Sequence, residues 1–100
     1  MMNKTLIRKL QQYFKTKPID KAWIFGSYAR GDQTPESDID ILVTYDSGFR
    51  PGLFGISLII EELENITGKK IDLVEEGCLY PRIEKEVDGQ KVQIYARNNT

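Results

Sequence analysis

The short apolar run Ala22-Trp23-Ile24-Phe25 is broken at Gly26-Ser27, and a second strand pattern opens soon afterwards at Ile39. A connection this short leaves the two strands to pair directly, which restricts the folds open to the chain. Ile39, Ile41 and Val43 alternate with Asp38, Asp40 and Leu42, the period of a strand that ends near Tyr45. Ser27 stands at the N-cap position of one or two helical turns reaching Arg30. Gly31 and the polar stretch Asp32-Gln33-Thr34-Pro35-Glu36 then form a turn.

The flanking segments alternate in the same manner. Leu6, Ile7, Leu10, Tyr13 and Phe14 recur at helical spacing, and Pro18 marks the end of that helix. Residues 53–66 carry the helical set Ile56, Ile59, Ile60 and Leu63, with Gly68 as C-cap. Ile71-Asp72-Leu73-Val74 reads as a third strand and Pro81–Asp88 as a short helix with Ile83 and Val87 inward. Val92–Tyr95 reads as a last strand, ahead of a polar tail over Arg97–Thr100. The expected fold is a small α/β (α+β) unit, a mixed sheet of about four strands flanked by helices. One domain over residues 1–100 accounts for the length.

Composition removes several classes of function. The formal net charge is −1, so no global basic field draws nucleic acid or membrane, although a local patch stays open. The longest apolar stretch, Ile56–Ile60, is far too short to span a bilayer, and the charged, amphipathic start does not read as a signal peptide. Cys78 is the only cysteine, which excludes an internal disulfide and points to a reducing, cytoplasmic setting. Histidine is absent, which rules out Ser-His-Asp and Cys-His catalysis and every histidine-held metal. Any chemistry falls to carboxylates, hydroxyls, lysine or arginine, and carboxylates favour hard cations such as Mg²⁺.

The remaining chemistry concentrates in three places. A strand that stops at Gly26 aims backbone N–H groups of the following turn outward, an arrangement suited to phosphate, and Ser27 adds a hydroxyl donor. Arg30, one turn on, is placed either to contact phosphate or to pair with a carboxylate. Asp38 and Asp40 lie two apart and so point to one face of a strand. Two such carboxylates repel unless a cation lies between them. Asp72 sits among apolar neighbours and joins the same face if its strand lies beside theirs. Metal ions clamped by Asp38, Asp40 and Asp72 would orient a triphosphate, and Asp72 could serve the attacking hydroxyl.

Gly26-Ser27-Tyr28-Ala29-Arg30-Gly31, Ser37-Asp38-Ile39-Asp40 and the later Ile71-Asp72-Leu73-Val74 together resemble the minimal nucleotidyltransferases (MNT), the smallest members of the DNA-polymerase-β-like superfamily. The likeness runs on to Gly89–Tyr95, so it covers nearly the whole chain. It implies Mg²⁺-dependent transfer of AMP from ATP to a hydroxyl. Gly26 and Ser27, with Arg30, would be at the nucleotide, and Asp38, Asp40 and Asp72 at two Mg²⁺ ions. It also implies that another polypeptide supplies the acceptor, as in MNT antitoxins that modify a tyrosine of a small helical HEPN partner, a hetero-oligomeric pairing.

Two other readings compete with this one. A non-enzymatic module could silence a partner by docking alone, and a stand-alone enzyme could modify a small molecule. Elsewhere the expectations are structural. Trp23, Phe25 and Tyr13 read as core or interface packing, Lys69-Lys70 as a solvated turn, and Cys78 as an unremarkable loop thiol. Phe49, Leu53 and Phe54, beside a Gly/Pro loop, are the candidates for exposed apolar contact with a partner.

Overall fold

The computed structural model describes residues 4–97. Helix α1 (Lys4–Lys15) buries Leu10, Tyr13 and Phe14. It closes where Thr16 donates both its N–H and its hydroxyl to the carbonyl of Tyr13, shortly before Pro18. Strand β1 (Ile19–Phe25) begins three residues earlier than its apolar run suggested. The added residues carry a bulge between Ile19 and Lys21, which hides the strand period in the sequence.

The short helix α2 (Ser27–Arg30) is stopped by Gly31 in the left-handed region, whose N–H donates to the carbonyl of Ser27. Strand β2 (Ile39–Tyr45) follows, and then α3 (Gly52–Thr67), closed by Gly68 at φ 69°. Strand β3 (Ile71–Glu75), helix α4 (Pro81–Asp88) and strand β4 (Val92–Ala96) complete the order. Pro81 occupies the first turn of α4, where its missing N–H costs nothing.

The four strands form one mixed sheet in the order β3-β2-β1-β4. Strand β1 pairs antiparallel with both β2 and β4, and the direct β1–β2 pairing is the one the short connection demanded. Strands β2 and β3 are parallel, so α3 is the crossover between them.

The sheet is two-faced because its strands alternate. Ile39, Ile41 and Val43 of β2 join Ala22 and Ile24 of β1 in the main core, against Leu10 and Phe14 of α1 and Ile59 and Leu63 of α3. The alternate residues of β2, Asp40 and Leu42, face the other way. Leu42 and Val87 are buried outside that main cluster. Ile83, expected inward on α4, is instead 45% exposed. Two turns of helix offer a narrow inner stripe, and Val87 takes it. Trp23 and Phe25 are half-buried on the carboxylate side, whereas Tyr13 is core and donates its hydroxyl to Glu62 at 2.7 Å.

Phe14 is fully buried and touches the rings of both Tyr13 and Tyr95. Phe14→Ala is expected to lower unfolding stability by about 3–5 kcal/mol, read from urea denaturation midpoints at unchanged slope.

Candidate active site

The end of β1 and the start of β2 lie side by side, with Phe25 opposite Asp40. Gly26 follows Phe25 and adopts φ 72°, ψ −148°, a conformation open essentially to glycine alone. A Cβ built on Gly26 would lie 2.0 Å from Oδ2 of Asp40. The glycine is therefore required by two separate constraints, its backbone angles and the carboxylate pressed against it. Its sequence signature suggested room for phosphate; the structure adds room for Asp40.

Gly26 is also the N-cap of α2, and Ser27 is its first helical residue, with no side-chain capping bond. This corrects the expected Ser27 cap. The carbonyl of Gly26 accepts from the N–H groups of Ala29 and Arg30, so the cap is made by the backbone and the Ser27 hydroxyl is released from that duty.

Asp38 precedes β2 by one residue, and Asp40 is the second residue of the strand. Ser37 prepares the approach: Thr34 N–H donates to Ser37 Oγ at 2.8 Å, and Ser37 N–H donates to the carbonyl of Thr34. The Ile39 N–H then donates to the carbonyl of Lys70, opening the parallel pairing with β3. From there Asp40 falls opposite Asp72. The structure thus brings Asp40 and Asp72 together across adjacent strands, with Asp38 two residues along on the same side. Asp72 is exposed on an edge strand and Asp38 is exposed, while Asp40 is half-buried.

Charge is poorly balanced at this point. The Asp40 carboxyl is pushed up to about 6, first by burial, then by the negative charges of Asp72 and Asp38 and a hydrogen bond with Asp72. The positive charge of Arg30 opposes this but does not cancel it. Arg30 was open between phosphate and carboxylate. Its Nε donates to Asp32 Oδ2 at 3.1 Å, and its Nη1 to Gln90 Oε1 at 3.3 Å. The carboxylate it pairs with is Asp32, whose place in a polar turn carries no sign of that role. Gln90, just beyond α4, was equally invisible, because sixty residues separate it from Arg30.

Among the described residues, no group of three or more His, Cys, Asp or Glu side chains converges tightly enough to hold a metal ion. The donor set nevertheless suits a hard divalent cation. Asp40 and Asp72 are oxygen ligands in contact, Asp38 adds charge from the same side, and their mutual repulsion is what a cation would relieve. No helix among these residues is long and apolar enough to cross a membrane.

The family model for a nucleotidyltransferase domain matches residues 4–97. A Methanocaldococcus jannaschii protein provisionally named a protein adenylyltransferase is 37% identical over 93 residues, covering 91% of this chain and 93% of its own. The protein adenylyltransferase MntA of Thermococcus cleftensis is 35% identical over 87 residues, covering 87% and 83%. Among solved structures, a chain from the complex of a tri-AMPylated Shewanella oneidensis HEPN toxin with an MNT antitoxin superposes with a TM-score of 0.70. That match has 18% identity and covers 96% of this chain and 74% of the other.

Two outcomes follow from the packing around Asp40. A carboxyl raised in the folded state favours folding while protonated, so its stability contribution is complete below about pH 4 and is lost as pH rises through about 6. Asp40→Asn should therefore raise the melting temperature of the metal-free protein by a few degrees at pH 7.5, with the gain vanishing near pH 4. Gly26→Ala should cost about 1–3 kcal/mol from backbone strain plus the clash. In an Asp40→Ala background the clash part should disappear, and a double-mutant cycle of denaturation midpoints reads the difference.

Proposed function

From the premise that this chain belongs to the nucleotidyltransferase domain family, we propose that it moves AMP from ATP to a hydroxyl on a partner protein, with Mg²⁺. The observation that carries this reading is the juxtaposition of Gly26, Asp40 and Asp72 at the meeting of three strand ends. The names of the relatives support adenylyl as the group transferred.

In this reading Asp38, Asp40 and Asp72 hold two Mg²⁺ ions, which would neutralise phosphate charge and polarise the reacting phosphorus when bound. The backbone at Gly26 and the hydroxyl of Ser27, free of any capping bond, receive the outer phosphates. Arg30, held by Asp32 and Gln90, faces the same region with its charge and acts through space on Asp40. Asp72, at the sheet edge and exposed, is placed to meet an incoming hydroxyl and take up its proton. The leaving group is pyrophosphate.

The acceptor we propose is a tyrosine on a small helical HEPN-type partner, with this chain as the antitoxin of the pair. The support is the solved complex of an AMPylated HEPN toxin with an MNT chain of similar fold. The exposed apolar side chains Leu53 and Phe54 at the start of α3, 84% and 93% exposed, fit a contact with that partner. The exposed free thiol of Cys78 fits a reducing cytoplasm, and a single continuous core reached from α1, α2, α3 and all four strands fits one domain over the whole chain.

Incubation with α-labelled ATP, Mg²⁺ and a HEPN-type partner encoded beside this chain should transfer label to the partner. Asp38→Asn should cut the rate by about 100-fold or more, and chelation should abolish it. A folded double variant, Asp38→Asn with Asp40→Asn, that silences the partner as well as wild type would favour silencing by docking alone.

A further inference from the structure

Charge along this chain is segregated in a way the net value hides. Five cations, Lys4, Arg8, Lys9, Lys15 and Lys17, precede the first acidic residue, Asp20. Residues 20–100 carry nine cations against fifteen acidic groups. The basic block is α1 and the turn behind it, while the rest of the molecule is acidic.

Helix α1 packs its apolar side on the core face of the sheet, opposite the face that carries Asp40 and Asp72. Its outer side carries Lys4, Arg8, Lys9 and Lys15, all exposed. None of these four enters an ion pair with a described residue, whereas Lys17 is held by Glu62 at 3.2 Å. Lys4, Arg8 and Lys15 recur at i, i+4 and i+11, which places them in one stripe about 17 Å long. Beside the stripe runs a groove of about 340 Å³ lined by Arg8, Gln11, Gln12, Lys15 and Tyr95.

We propose that this outer face of α1 docks a nucleic-acid backbone through sequence-independent phosphate contacts. Three features favour this occupant over a protein. Lys4, Arg8, Lys9 and Lys15 form no ion pair and have no acidic residue interleaved along the helix, and Glu62 of the neighbouring α3 is taken up by Lys17 and the hydroxyl of Tyr13. The face has no large exposed hydrophobic side chain, unlike the start of α3 and parts of α4 and β4, so it lacks the apolar centre of a protein interface. Its groove offers the cations Arg8 and Lys15 and the amide of Gln12, groups that meet phosphate and sugar, beside Gln11, which donates to the carbonyl of Ile94, and Tyr95, whose ring packs on Phe14. The acidic remainder of the molecule repels a polyanion, so α1 is where it must land. Adenylyl transfer plays no part in this inference, since the two surfaces lie on opposite faces of the sheet.

The test is fluorescence anisotropy with a labelled 20-nucleotide single-stranded RNA and, separately, a 20-base-pair DNA duplex, without ATP or Mg²⁺. Three phosphate contacts, from Lys4, Arg8 and Lys15, give a slope of log affinity on log salt of about −2.1 for the single strand and about −2.7 for the duplex. Arg8→Gln with Lys15→Gln should weaken binding at least about tenfold at 50 mM salt and cut the slope by roughly two-thirds. The matched loss of charge on α4, Arg82→Gln with Lys85→Gln, should leave both within error. All four positions are exposed and glutamine is a good helix former, so melting temperatures should stay unchanged and exclude misfolding. Equal weakening by both pairs would overturn the proposal, as would no salt-sensitive binding to either nucleic acid. Loss of a protein partner by the α1 pair, with no nucleic-acid binding in wild type, would overturn it in favour of an acidic protein surface.

Discussion

The crowding of one carboxylate organises the rest of the site. Asp40 sits in β2, an inner strand, with Gly26 against its Oδ2 and Asp72 opposite in the neighbouring strand. Neither neighbour is interchangeable. A side chain at position 26 would occupy the space of the carboxylate, and a shift of one residue in the β2–β3 register would send Asp72 to the core face. The turn, the strand pairing and the acidic cluster are thus a single constraint seen from three sides. The resulting desolvation and repulsion are stored in the folded state, where a divalent cation would relieve them.

Much of this was legible in the sequence because the informative residues are local. The alternation of Ile39, Ile41 and Val43 with Asp38, Asp40 and Leu42 fixes which side of β2 is apolar. The short link after Gly26 fixes β1 against β2. The placement of Asp72 beside Asp40 needed one further step, the parallel pairing of β3 with β2. What escaped the sequence is either irregular or distant. The bulge near Ile19 conceals where β1 begins, and the hold of Gln90 on Arg30 joins residues sixty positions apart. The Ser27 cap failed for a subtler reason: Gly26 in a glycine-only conformation lets the backbone cap itself. Ile83 failed because a helix of eight residues on an acidic surface buries so little.

The two faces of the sheet divide the labour of the molecule. One face is apolar and carries α1 and α3, and its packing supplies the stability. The other holds Asp40 and Asp72 beside the buried Leu42 and the half-buried Trp23 and Phe25, and spends part of that stability on keeping like charges together. Such a division is why truncating Phe14 is expected to cost stability while removing the charge at Asp40 is expected to add it. Stability and chemistry pull against each other across a layer one strand thick.

The parallel pairing of β2 with β3 has a consequence in time. Asp38 and Asp40 leave the ribosome more than thirty residues before Asp72, with the whole of α3 between them. The two halves of the acidic cluster meet only when α3 has folded back over the sheet and β3 has zipped alongside β2. A nascent or partly unfolded chain therefore owns the residues but not the site. The meeting of these carboxylates is thus a product of tertiary folding, present only in chains whose β3 has paired with β2 across the α3 crossover.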